Sequence, residues 1–276
     1  MTTAVSSAPF HRALAHTLDA QSLSFDALCP PGDRLAARVL AEYGAMFVSV
    51  PEVTPPPVCV FADEREVAEF QRSVPCAESL IAGYEVRLQQ RALESLLRAR
   101  HHARRIGLDI TPRDGAEAAR RTFADGVRLW NSRLLPALAH WTARGRLSES
   151  EAERLRSLAP REQALAVLDL EAGGMFFSKD FSKSVLQSIA APGTSQHLAM
   201  LAFDAVEFND AAVRAVLREH GWFQTVVSDL PHFTYLGWRE QDLAANGLCR
   251  TGEHDRPFWI PNLSTTTTFD EEHTRR

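Results

Sequence analysis

The sequence predicts an α+β fold, with helices first and a small, mostly antiparallel sheet after them. Three observations carry that expectation. Apolar residues recur at three- and four-residue spacing over 63–105 and 116–144, as in Leu80, Tyr84, Leu88, Ala92 and Leu96. After Gly174 this pattern gives way to short apolar runs bounded by turn residues. Helices followed by strands favour an antiparallel α+β arrangement over a doubly wound parallel sheet.

Taken in order, residues 1–30 read as a weakly structured arm with room for one helix. Residues 34–44 have helical periodicity, and the apolar run 45–50 reads as a short strand. Segment 51–60 carries Pro51, Pro55, Pro56 and Pro57 and runs extended, because proline lacks the amide donor that a helix uses. Residues 63–105 read as helix, broken by Pro75 and ended by Gly107, with 108–111 as a short strand. A long helix follows over 116–144. Ser148 and Glu151 form a capping-box pattern for a third, interrupted near Pro160.

From Met175 the chain reads mostly as loop with one helical turn. Residues 198–208 are apolar and long enough for a strand. Residues 209–221 form a helix with an Asn cap and a Gly stop. Segments 222–227 and 232–238 read as strands separated by the tight stretch 228–231, and 258–263 as a last strand. The tail from Ser264 is polar and expected to be disordered. The organisation is then an arm and helical region over 1–110, a second unit over 111–263 and a polar tail over 264–276.

Composition narrows the function classes. A chain of 276 residues, 45% hydrophobic and 24% charged, can bury a sizeable core. A net charge of -5 gives no reason to expect nucleic acid or an anionic membrane surface as partner. No apolar run reaches the roughly eighteen residues of a membrane span. Neither G-x-G-x-x-G nor a P-loop occurs, so nucleotide binding has no support. Residues 1–18 lack the apolar stretch of a secretory signal and carry His11, Arg12 and His16 instead. Cys29, Cys59, Cys76 and Cys249 show no C-x-x-C spacing; their even number permits disulfides that a chain this long does not need.

Two segments hold the candidate chemistry. PGTSQHLAMLAFD supplies Ser195, His197 and Asp204, and SDLPHF supplies Asp229 and His232. Two imidazoles, one carboxylate and an open fourth position are the donor set of catalytic zinc. A second carboxylate beside the second imidazole can take a proton from attacking water. Geometry adds a condition. Seven residues of straight strand span about 23 Å at ~3.3 Å each. His197 and Asp204 therefore share an ion only if the chain folds back near 199–201. The blander reading is that these are surface or satisfied core residues, and ten histidines make chance spacings common.

The run from Ser195 through His197 and Ala202 to Asp204 resembles the S-x-H-x-x-G-x-A-x-D signature of the D-alanyl-D-alanine carboxypeptidase (VanY-like) family of zinc peptidases. Four of the five fixed positions match. Asp229-Leu-Pro-His232-Phe resembles that family's E-x-x-H-F element. The resemblance covers residues 192–233. It implies a compact hedgehog/D,D-peptidase-like fold in which His197, Asp204 and His232 hold Zn2+, Ser195 supports them and Asp229 is the general base. The implied reaction is hydrolysis of peptide bonds in peptidoglycan stem peptides, as a D,D-carboxypeptidase or a related endopeptidase. A non-catalytic zinc-containing domain that binds cell-wall peptides or a protein partner is the alternative.

Arg121 and the residues after it resemble the family's Y-R-S element, which implies that Arg121 steadies a substrate carboxylate or a developing oxyanion. Arg113 is its rival, and a solvated helix arginine is the bland alternative. Two departures stand out: Met200 replaces a glycine in the required turn, and Asp229 replaces a glutamate one methylene longer. Phe176, Phe177 and Lys179 are expected to line a substrate cleft, and Trp130 and Trp141 to pack in the core. The implied substrate places the protein in the periplasm or cell envelope, with the cytoplasm as alternative. Oligomeric state is left open.

Overall fold

A computed structural model describes residues 8–264, so the polar tail expected from Ser264 onward lies, after that residue, outside the described range. The N-terminal arm is more ordered than expected. Helix α1 (Pro9–Ala20) buries Phe10, Leu14 and Leu18 on one face, and a short α2 (Phe25–Leu28) is capped by Ser24. Helix α3 (Arg34–Tyr43) starts where the Asp33 carboxylate accepts from the amides of Leu35 and Ala36 at 3.1 and 3.0 Å.

The strand expected over 45–50 is instead a 3-10 turn, Gly44–Val48, every residue of which is buried. The run is apolar on all sides, and periodicity cannot separate a buried strand from a buried helical turn. Helix α4 (Glu64–Ser73) ends before Pro75. The helix expected to continue beyond it is replaced at first by a hairpin of β1 (Cys76–Ile81) and β2 (Tyr84–Gln89). Leu80 and Tyr84, which suggested helix, are exposed, while Val86 and Leu88 alternate inward. Ala82 and Gly83 close the hairpin with φ of 51° and 86°, the left-handed pair that matches strand twist.

Helix α5 (Gln90–Arg105) follows directly. The strand expected over 108–111 does not form; the next residue, Pro112, makes one antiparallel bridge to Ala205. Helix α6 (Phe123–Ala143) begins later than expected because the Thr122–Asp125 capping box sets its start. The Ser148–Glu151 box opens α7 (Glu149–Ser157), and Pro160 starts α8 (Pro160–Ala172).

The expected strand over 198–208 shrinks to β3 (Ala202–Asp204). Helix α9 (Ala211–Glu219) is capped by Asp210 rather than Asn209. The two following strands are shorter than expected: β4 (Trp222–Phe223) and β5 (His232–Tyr235). They form an antiparallel sheet in the order β3-β5-β4. The expected last strand is β7 (Arg256–Pro261), and its partner β6 (Leu248–Glu253) was not foreseen. The described chain is thus α+β, with three small antiparallel sheets.

One hydrophobic cluster runs from Phe10 to Trp259 and draws residues from both sides of position 110. Trp130 and Trp141 belong to it, as their spacing implied. Helix α3 packs on β7, and α5 packs on α9.

Candidate metal centre

The sheet register places the first two candidate ligands. Asp204 on β3 lies directly opposite His232 on β5, so their side chains share a face. His197 reaches them because the chain folds back, as the spacing required. Ser195 caps a 3-10 turn, Gln196–Ala199, with its hydroxyl accepting from the His197 amide at 3.4 Å. Met200 then turns the chain into β3 with φ 55° and ψ 34°. It adopts the left-handed conformation itself, although a side chain there costs about 1–2 kcal/mol.

Elements from the first half of the chain hold this turn. The buried Gln71 of α4 donates its amide to the carbonyls of Arg121 and Leu198, at 2.9 and 3.1 Å. The buried Gln89 at the end of β2 donates to the carbonyls of Thr54 and Ala199, at 2.8 and 2.9 Å, and its backbone amide donates to Met200. Gly193, with φ 82°, lies against the Phe61 backbone, where a Cβ would run into the Phe61 carbonyl oxygen.

Three ligand atoms converge. His197 Nε2, His232 Nδ1 and Asp204 Oδ1 are separated by 3.1 Å (the two nitrogens), 3.2 Å (His232 to Asp204) and 3.3 Å (His197 to Asp204). All three residues are buried. Ligands about 2.0–2.1 Å from a tetrahedral zinc stand roughly 3.3 Å apart, so this triangle has the size of one tetrahedral face.

The surrounding hydrogen bonds decide what the triangle can hold. Gln196 Nε2 donates to the Tyr43 carbonyl at 2.8 Å, which turns Gln196 Oε1 toward His232 Nε2, 2.8 Å away. Thr234 also donates to that oxygen, at 2.5 Å. An amide oxygen only accepts, so His232 Nε2 carries a hydrogen, and the ring is oriented with Nδ1 toward the Asp204 carboxylate. Nδ1 and Asp204 Oδ1 stand 3.2 Å apart, a separation that a proton or a shared cation satisfies. His197 Nδ1 is buried and has no hydrogen-bond partner among the described residues, so no neighbour orients that ring as Gln196 orients His232. The donor set and its geometry therefore fit a metal ion, held by His197, Asp204 and His232.

Electrostatics agree. Burial, aided by the nearby Arg121 cation, holds the His197 ring down to about 4, so it is neutral at neutral pH. Burial opposes the charge on Asp204, but the charge that His197 gains in acid, with hydrogen bonds from the His197 and His232 rings, holds its carboxyl well below the usual range. Arg121 donates through Nη2 to Asp204 Oδ2 at 2.7 Å and through Nε to the Glu117 carbonyl at 3.1 Å. This pair fixes the carboxylate with Oδ1 turned toward the imidazoles.

Arg121, Ser195, His197, Asp229 and His232 line one cavity of about 50 Å³. Asp229 precedes β5, and its carbonyl accepts from the His232 amide at 3.2 Å. The residue is exposed, yet the cavity walls withhold enough water to raise its carboxyl above the usual range, against the pull of the His232 ring. Arg113 donates its backbone amide to the Asp204 carbonyl at 2.8 Å, while its guanidinium lies over the Phe208 ring.

One expectation fails. Phe176, Phe177 and Lys179 do not line the cavity; Phe177 is wholly in the core, and the Phe176 carbonyl accepts from Trp141. Leu186, Ser188 and Ile189, further along the same loop, line it instead. Sequence reading also missed Gln196, Gln71 and Gln89. Gln196 carried one signal, a polar residue wedged between two candidate site residues; the other two carried none. Comparison with protein-family profiles, characterised proteins and solved structures finds no match to this chain.

Proposed function

We propose that this chain is a zinc-dependent peptidase that hydrolyses peptide bonds of peptidoglycan stem peptides, in the manner of a D-Ala-D-Ala carboxypeptidase. The observation that carries the reading is the buried triangle of His197 Nε2, Asp204 Oδ1 and His232 Nδ1, its sides 3.1, 3.2 and 3.3 Å. Two imidazoles and one carboxylate favour zinc over magnesium or calcium, which prefer oxygen ligands. Zinc held there supplies Lewis acidity, making water nucleophilic near neutral pH and polarising a carbonyl.

The protein's own groups account for the rest. Gln196 fixes the His232 tautomer and Arg121 fixes the Asp204 carboxylate. Arg121 Nη1 has no protein partner among the described residues, which leaves a donor for a substrate carboxylate or a developing oxyanion. Asp229 takes a proton from attacking water and passes it to the leaving amine. The substrate class and the family rest on the two sequence motifs, and they place the protein in the periplasm or cell envelope, with the cytoplasm as alternative.

A second reading, a zinc-holding domain that binds cell-wall peptides without cleaving them, is favoured by Asp229 alone. Aspartate is shorter than glutamate by about 1.5 Å, and misplacement of that order costs roughly a hundredfold in rate. Metal analysis and mass spectrometry of muropeptide digests separate the readings. His197→Ala is expected to lose both zinc and hydrolysis, and Asp229→Ala to keep zinc and lose turnover. Zinc retained with full activity in His197→Ala overturns the site. Muropeptide binding without product in the native protein selects the second reading.

A further inference from the structure

Cys29 and Cys59 lie away from the metal centre, and both are buried. Cys29 ends α2, and the Cys59 amide donates to the carbonyl of Leu28 at 3.0 Å, which brings the two residues side by side. Each thiol shifts the proton affinity of the other, as neighbouring side chains do. Their exposure differs in a useful way. Cys29 lines an open groove of about 460 Å³ beside Pro30, Asp33 and Arg34, whereas Cys59 does not reach that groove.

We propose that Cys29 and Cys59 are a redox-active dithiol that closes to a disulfide, with Cys29 as the attacking thiol and Cys59 as the resolving one. The neighbouring Cys59 lowers the proton affinity of Cys29, while Cys29 and burial raise that of Cys59. The Cys29 thiolate attacks one sulfur of a small disulfide oxidant and expels one thiolate. Cys59 gives up its proton, attacks Cys29 Sγ in the mixed disulfide and expels the second. The two protein thiols lose two electrons and two protons, and the oxidant leaves as two thiols.

The bond ties the N-terminal arm to the segment that supports the metal centre. Cys59 stands two residues before Phe61, whose amide donates to the Gly193 carbonyl at 2.9 Å. Gly193 begins the stretch that carries Ser195 and His197. A link across this span restrains the unfolded chain and is expected to raise Tm by about 5–10 °C.

The full chain, treated with oxidised glutathione and then alkylated under denaturing conditions, tests the proposal. Peptide mapping is expected to show Cys29 joined to Cys59, with Cys76 and Cys249 still alkylated, and the oxidised form is expected to melt higher. Cys59→Ser is expected to stop at a glutathione adduct on Cys29, and Cys29→Ser to leave Cys59 unmodified. Alkylation of both Cys29 and Cys59 after oxidation, a cross-link through Cys76 or Cys249, or an unchanged Tm overturns it. The mapping uses the native protein, so it decides the matter even if a variant fails to fold.

Discussion

At the residue scale, the metal centre depends on which nitrogen of each imidazole carries a hydrogen. His232 is set by one neighbour, Gln196, whose own orientation is set by the Tyr43 carbonyl. Gln196→Leu removes that acceptor, and the variant is expected to bind zinc 10–100-fold more weakly in a chelator competition. Equal affinity would show that the Gln196 contact does not orient the ligand. His197 gives a pH signature in the metal-free protein. Its folded value of about 4 lies below the ordinary imidazole value of 6.5, so between these pH values the unfolded chain binds more protons. Stability therefore falls as pH drops from 6.5 toward 4, by up to ~3 kcal/mol. Asp204 acts lower down: its depressed carboxyl contributes stability above 3.8 that is lost as pH falls further. Urea melts of the metal-free native protein and of His197→Gln are expected to diverge in pH slope only over the upper window. Parallel slopes there would refute the account.

At the scale of elements, the turn from Gln196 to Met200 converts a linear spacing into a site. A straight strand carries His197 and Asp204 apart; the 3-10 turn and one left-handed residue bring them together. Met200 is buried, so its side chain packs while its backbone is strained. Met200→Gly relieves about 1–2 kcal/mol of backbone strain. It also removes a buried side chain, a loss of about 2–5 kcal/mol. Packing wins, and the variant is expected to be less stable by roughly 1–3 kcal/mol in urea denaturation. A gain in stability would mean that the turn, not the packing, dominates. The motif containing this turn was readable, but the hairpin β1–β2 was not. Leu80, Tyr84 and Leu88 mimic helical spacing, and only burial shows that Val86 and Leu88 form the inward face of a strand.

At the scale of the whole molecule, the first half of the chain supports the second. Gln71 and Gln89 hold the carbonyls of Leu198 and Ala199, and the core runs without a break from Phe10 to Trp259. A fragment of residues 111–276 loses both clamps and the face that α5 covers on α9. It is expected to show no cooperative thermal transition by circular dichroism, whereas the full chain shows one. A cooperatively folded, zinc-binding fragment would assign the first half a separate role. The sequence by itself determined the order of helices before strands, the capping boxes and the six candidate residues Arg121, Ser195, His197, Asp204, Asp229 and His232, because these depend on local pattern and residue chemistry. Only the tertiary structure decided that the three ligands meet, that Gln196 sets a tautomer and that distant glutamines brace the turn. Those facts depend on strand register and on hydrogen bonds between residues far apart along the chain, which local pattern does not encode.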